Sequence, residues 1–185
     1  KKGFEYSDCI TDDARLTVLN AADAKRLGGN INTRTMVKNM EQKKGVWNIE
    51  VMNTISNEAK YVQAKVVVNA TGPWVDNFLK NHSKQTKIDN VRLVKGSHIV
   101  VKKLFNHSYA YIFQNSDGRI FFAVPWENEF TFIGTTDVDF KDNLDSFSAS
   151  DDEINYLCKS ANQYFRSDIS SNDVIKHWSG VRPLY

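Results

Sequence analysis

The sequence is poor in cysteine, and the two it has, Cys9 and Cys158, lie far apart. With no Cys-x-x-Cys pair and no Cys/His set at ligand spacing, the chain argues against a metal site and against a structural disulfide, and suits a reducing compartment. No apolar run approaches the ~20 residues needed to span a bilayer, and no signal peptide opens the chain. Neither charge sign dominates: Lys+Arg 24 against Asp+Glu 22 leaves +2, and because the basic residues are scattered, no nucleic-acid footprint stands out. Lys43-Lys44 and Lys102-Lys103 read as solvated turns. None of the nine glycines forms a Gly-x-Gly-x-x-Gly loop, and internal repeats and low-complexity tracts are missing too.

What is present is a globular composition. A chain of 185 residues with 41% hydrophobic and 12% aromatic content can bury a substantial core, as one large domain or parts of two. The most telling run is Lys65–Trp74, K-V-V-V-N-A-T-G-P-W. Three successive valines suit a strand buried on both faces, as in a helix-covered parallel sheet. Gly72 then allows close backbone approach, and Pro73 fits the first position of a helix, so N–H groups around Thr71 and Gly72 can point at a phosphate. An ordinary strand-to-helix turn is the alternative. The chain starts at Lys1 without a methionine and stops at Tyr185 directly after the run Ser179–Leu184. We therefore expect an internal piece of a longer protein, with any glycine-rich phosphate loop upstream of Lys1.

Local patterns predict a strand over 4–10, a helix from about Asp13 to Leu27 started by Thr11, Asp12 and Asp13 and ended by Gly28-Gly29, and a strand over 31–40. A turn at Lys43-Lys44-Gly45 leads to an alternating arm through Trp47, Ile49 and Val51, and a third arm from Tyr61 runs into Val66. A short helix follows to about Lys80, then a polar stretch, Asn81–Asn90, that reads as a crossing between domains. Strands are expected over 91–101, 109–113, 119–125 and 129–134, the middle two joined by the Asn115–Gly118 turn. Ser150-Asp151-Asp152-Glu153 is a capping box, and Ile154, Leu157, Cys158, Ala161 and Phe165 follow at helical spacing.

Three clusters in the second half have chemical potential. Lys95-Gly96-Ser97-His98 sits in a strand, where glycine lets a backbone or flat ligand come close. The unperturbed pKa of histidine lies near neutrality, so His98 is a candidate to take a hydroxyl proton as a C–H bond on the same carbon breaks; a hydrogen-bonded structural histidine is the alternative. Gly134-Thr135-Thr136-Asp137 offers two hydroxyls and a carboxylate, suited to a polyol or ribityl chain or to satisfying their own backbone. Arg182, on a stiff apolar segment, is pre-organised for bidentate contact with carboxylate or phosphate, or for pairing with an acid of the domain.

Together the runs Y-S-D-C (Tyr6–Cys9), D-A-R (Asp13–Arg15), T-R-T (Thr33–Thr35), V-N-A-T-G-P-W (Val68–Trp74), K-G-S-H-I-V-V (Lys95–Val101), G-T-T-D (Gly134–Asp137) and S-G-V-R-P-L (Ser179–Leu184) resemble, in order, the FAD-dependent, quinone-linked glycerol-3-phosphate dehydrogenases. The resemblance implies a mixed α+β and α/β chain: part of a Rossmann-like FAD-binding domain (1–80) and a mainly antiparallel substrate-binding cap (81–185), similar in fold to D-amino-acid and glycine oxidases. The strand over 4–10 is a candidate to join the cap sheet. By resemblance, Ala70, Thr71, Gly72 and Trp74 would lie along the FAD pyrophosphate and ribose, with Val37 near the adenine. Gly96 would approach the flavin. Lys95, Ser97, Thr135, Thr136 and Asp137 would face substrate or flavin, Arg182 would hold the substrate phosphate, and His98 would be the base.

The implied reaction oxidises sn-glycerol 3-phosphate to dihydroxyacetone phosphate, with FAD as cofactor, a quinone as acceptor, no metal, and peripheral attachment to the cytoplasmic face of the cell membrane. A piece of this length is expected neither to retain FAD tightly nor to turn over. The alternatives are an FAD-dependent amine or amino-acid oxidase of the same fold, and a non-catalytic interaction module.

Overall fold

The structure is a computed structural model that describes residues 3–82 and 89–185. It divides into two compact units between Val67 and Val68.

The first unit holds helix α1 (Asp13–Arg26) and an antiparallel meander of β1 (Thr35–Lys43), β2 (Val46–Asn53) and β3 (Ala59–Ala64). Asp12 caps α1, its carboxylate accepting the Arg15 N–H at 2.9 Å, and Gly28 at φ +96° ends it, a left-handed conformation open to glycine. Strand β1 begins later than its apolar pattern suggests, at Thr35 rather than Ile31, because Arg34 takes φ +54° and breaks the extended run. Its carbonyl instead accepts the Thr54 N–H at 2.8 Å. The β1–β2 hairpin turns through Lys44 (φ +50°) and Gly45 (φ +80°), the paired positive φ that suits the twist of a two-residue hairpin.

Two expected strands do not form. Residues 4–10 are irregular, with Phe4 and Ile10 in solvent, and they join neither sheet. The valine run is not a buried strand either: residues 66–68 lie outside any ladder, and Val66 is 73% and Val68 81% exposed. A strand exists only through a hydrogen-bonded neighbour, and among the described residues neither segment has one.

In the second unit a 3₁₀ turn (Gly72–Trp74) leads into α2 (Val75–His82). Of the polar stretch Asn81–Asn90, residues 83–88 lie outside the described residues. The chain re-enters at a fixed point, because the buried Asp76 carboxylate accepts the N–H groups of Asn90 (2.9 Å) and Val91 (3.2 Å) and the Asn90 amide (3.0 Å). The long central strand β4 (Arg92–Lys102) then organises a six-stranded antiparallel sheet with β5 (Tyr111–Gln114), β6 (Ile120–Trp126), β7 (Phe130–Gly134), β8 (Val138–Asp139) and β9 (Lys176–Leu184). The path is β5-β6-β7-β4, with β8 beyond β7 on the same edge of β4 and β9 along its other edge from Arg92 to Val100.

Helix α3 (Asp151–Asn162) packs on one face of this sheet. Its Ile154, Leu157, Cys158 and Ala161 close against Ile99, Val101, Phe121, Ala123 and Ile133, as helical spacing on one side and strand alternation on the other require. The capping box predicted for it is present, with Ser150 and Glu153 bonded reciprocally.

Candidate functional site

Strand alternation splits the Lys95–His98 motif between two environments. On the helix-facing side lie Lys95 and Ser97. On the opposite face, antiparallel register brings Val94 beside Arg182, Gly96 beside Gly180, and His98 between Gly134 and Trp178. Three clusters remote in sequence thus meet on one face of one sheet, with the Gly96–Gly180 rung between those of Arg182 and His98.

Glycine here serves close approach. A Cβ at Gly134 would run into the His98 ring, overlapping Cδ2 and standing 2.7 Å from Cγ and 2.8 Å from Nε2. A Cβ at Gly96 would collide with the Thr135 hydroxyl and come within 3.3 Å of the Arg182 guanidinium. Gly134 therefore makes room for the imidazole, and Gly96 for Thr135 and Arg182. At Gly180 a Cβ would meet none of the described residues within 4 Å, so the backbone there is open to a flat ligand.

His98 is half-buried and stacked on Phe132 (centroids 4.8 Å) and Trp178 (5.8 Å). Burial and, after it, the Arg182 charge hold its pKa below the ordinary value of 6.5, so the ring is neutral at neutral pH and can accept a proton. Its Nδ1 is buried, with no hydrogen-bond partner among the described residues. Arg182 is exposed, with one amino group reaching the Thr136 carbonyl at 3.4 Å. Thr135 donates its hydroxyl to the same carbonyl at 3.0 Å. Asp137 is exposed, its charge adding to that of Asp139 around Arg92.

On the other face, Lys95, Ser97 and Thr136 converge on Glu153, which sequence patterning reads only as a helix cap. Its carboxylate accepts Ser97 Oγ and Thr136 Oγ1 on one oxygen, both at 2.8 Å, and Lys95 Nζ at 2.8 Å on the other, where the Ser150 N–H (3.0 Å) and hydroxyl (3.1 Å) also bond. Burial alone would raise its pKa; Lys95, the Ser150 N–H, Ser97 and Thr136 outweigh it and bring the value down to about 2. The carboxylate is ionised and fully engaged. Trp178 was also missed, although Trp178, Gly180 and Arg182 share the period-2 alternation of one strand face.

The turn before α2 offers less to an anion than its sequence suggests. Asn69 Oδ1 takes both the Thr71 hydroxyl (2.7 Å) and the Thr71 N–H (3.3 Å), and the Trp74 N–H goes to the Thr71 carbonyl at 3.2 Å. The Gly72 N–H is left out of these bonds, at φ +56° with open space where a Cβ would stand. Ala70 and Trp74 are exposed. Val37 lies in the other unit, on β1 where the ladder slips before Asn39.

The FAD dependent oxidoreductase family designated DAO matches residues 1–185. The chain belongs to that family. The resemblance drawn from the seven motifs is borne out: the aerobic glycerol-3-phosphate dehydrogenase of Escherichia coli (strain K12) is 43% identical over 184 residues, covering all of this chain and 37% of that protein. D-erythritol 1-phosphate dehydrogenase of Brucella abortus (strain 2308) is equally 43% identical, with the same coverage. The X-ray structure of glycerol-3-phosphate dehydrogenase from Bacillus halodurans complexed with FAD superposes with a TM-score of 0.83 at 34% identity, over 94% of this chain and 36% of that one. The chain thus spans a little over a third of the length of these relatives, and the mixed α/β fold with antiparallel sheets is the family's. FAD is the family's cofactor, and the open backbone at Gly180, the uncrowded Gly72 turn and the buried Nδ1 of His98, unpartnered among the described residues, fit a flat heteroaromatic group carrying phosphates.

Proposed function

We propose that the intact protein oxidises the secondary alcohol of sn-glycerol 3-phosphate to dihydroxyacetone phosphate. The observation that carries this reading is that a neutral imidazole, His98, and a guanidinium, Arg182, share one sheet face, with the Gly96–Gly180 rung between theirs. Bound FAD supplies the hydride acceptor. His98 takes the C2 hydroxyl proton, and Arg182 binds the phosphate, so binding energy remote from C2 orients that carbon. Thr135 lines the same face. Lys95, Ser97 and Thr136, engaged with Glu153, support that face from beneath, and Asp137 stays at its rim. Ala70, Thr71, Gly72 and Trp74 flank the pyrophosphate, Gly96 lies under the flavin, and Val37 lies near the adenine. The roles proposed are FAD binding for residues 1–80 and the cap for 81–185; the compact units divide earlier, between Val67 and Val68, so the turn at 70–74 and α2 belong to the second unit.

We take the electron acceptor to be a quinone and the protein to sit peripherally on the cytoplasmic face of the membrane. No helix among the described residues is long and apolar enough to cross a bilayer. The equal identity to D-erythritol 1-phosphate dehydrogenase favours a second substrate, a longer polyol phosphate held by the same Arg182. Anaerobic mixing of the intact protein with each compound tests the assignment through loss of oxidised-flavin absorbance. Glycerol 3-phosphate is expected to bleach the flavin; bleaching by D-erythritol 1-phosphate alone selects the second reading, and bleaching by glycine or sarcosine alone overturns both. The 185 residues by themselves are expected to purify colourless.

A further inference from the structure

We propose that Glu153, on the far side of the sheet from the reacting groups, is a positioning residue that sets the placement of His98 and Arg182; the inference rests on the reading of these two as base and phosphate anchor.

A carboxylate can only accept hydrogen bonds, and that fixes the direction of every bond around it. Ser97 must donate to Glu153, so in the 2.7 Å contact between the Ser97 and Ser179 hydroxyls it is Ser179 that donates. Thr136 must also donate to Glu153, which leaves its oxygen to accept the Ser97 N–H at 2.8 Å. One buried group therefore orders hydroxyls from β4, β9 and the β7–β8 connection in a single pattern. Each of these residues adjoins one that faces the site. Ser97 precedes His98, Ser179 follows the Trp178 that stacks on His98, and Thr136 supplies the carbonyl held by Arg182. Lys95, bound to Glu153 at 2.8 Å and to the Ser148 carbonyl at 3.0 Å, balances the charge and ties β4 to the start of α3.

Apolar packing already fastens α3 to this sheet through Leu157 and its neighbours, and the cap of α3 needs only one carboxylate oxygen. The other oxygen spans β4 and the β7–β8 connection, and its placement is what a purely structural cap does not require. A network of this kind is worth more than separate deletions suggest, and its members respond to substitution as a unit.

The test uses the intact, FAD-loaded protein. Glu153→Gln keeps the shape but turns an amide N–H₂ toward either Lys95 and Ser150 or the two hydroxyl donors. The limiting rate of flavin reduction is expected to fall tenfold or more, and the Kd for inorganic phosphate, measured calorimetrically, to rise about tenfold. Leu157→Ala, which loosens α3 through the core alone, is expected to lower the melting temperature while changing both quantities less than twofold. The double variant Glu153→Gln/Thr136→Val should be no more than threefold worse than Glu153→Gln. If Glu153→Gln behaves like Leu157→Ala, moving only the melting temperature, the inference is overturned. If it does not fold, Thr136→Val carries the same expectation, and a change under twofold overturns it. Should glycerol 3-phosphate leave the wild-type flavin oxidised, the proposed substrate falls and the positioning role is judged on the phosphate Kd ratio; if phosphate does not bind the wild type either, both fall.

Discussion

Replacing Gly134 by alanine should disable the site while leaving the fold standing. The added methyl would sit inside the His98 ring's envelope, 2.7 Å from Cγ and 2.8 Å from Nε2, whereas apolar carbons settle at about 3.5–4.0 Å. The ring must retreat by more than about 1 Å, because Cδ2 is closer still. It cannot do so freely, because Phe132 and Trp178 stack on it and the opposite face of β4 is closed by α3. Overpacking of this kind costs about 1–3 kcal/mol of stability. A displacement of about 1 Å in a catalytic group costs about 100-fold in rate, or about 2.7 kcal/mol of barrier. The two effects separate by assay: thermal melting of the intact protein reads the first, and stopped-flow flavin reduction at saturating glycerol 3-phosphate reads the second. Gly180→Ala is the matched control, since its methyl meets no atom of the described residues within 4 Å and melting should be unchanged or slightly higher. If a ligand lies on that rung, however, Gly180→Ala weakens binding. Flavin reduction within threefold of wild type in Gly134→Ala would refute the assignment of His98 as base.

Acid should weaken the fold through Glu153. Its folded pKa, about 2 against an ordinary 4.5, means that the ionised form stabilises the native state by up to about 3 kcal/mol above pH 5, a contribution lost as pH falls from about 4.5 toward 2; the wild-type minus Glu153→Gln difference in unfolding free energy should shrink over that interval, and a constant difference would contradict it. Arg182→Gln should raise the KM for glycerol 3-phosphate by about 10–100-fold through loss of a charged hydrogen bond worth about 1.5–3 kcal/mol. The same change removes a positive charge that depresses the His98 pKa. A base works only when neutral, so the rate falls as pH drops through that pKa, and in Arg182→Gln this acid limb should move to higher pH; a limb that stays put or moves lower would count against His98.

What was legible in the sequence was what neighbours along the chain decide. The cap at Ser150 and the stripe from Ile154 to Ala161 predict α3, and the Asn115–Gly118 turn predicts the β5–β6 hairpin, because the causes lie within one helical turn or four residues. The run Val66–Val68 fails for the complementary reason. Its apolarity records a demand for burial, but a strand needs a ladder, and among the described residues no partner meets it.

The candidate site divides the same way. His98, Arg182 and Gly134 were each visible as motifs, yet their meeting depends on the register that sets His98 against Gly134 and Val94 against Arg182, up to 88 positions apart along the chain. Alternation alone could have separated Lys95 and Ser97 from His98, since successive strand residues point to opposite faces. Glu153 was the harder case. As a local signal it is fully explained by the Ser150 cap, and nothing in its neighbourhood along the chain says that its second oxygen is spent on Ser97 and Thr136. A residue whose local role is complete hides its long-range one, and the surplus shows only when its bonds are counted oxygen by oxygen. By that count, the face carrying His98 and Arg182 is held in place from beneath by a group that never touches it.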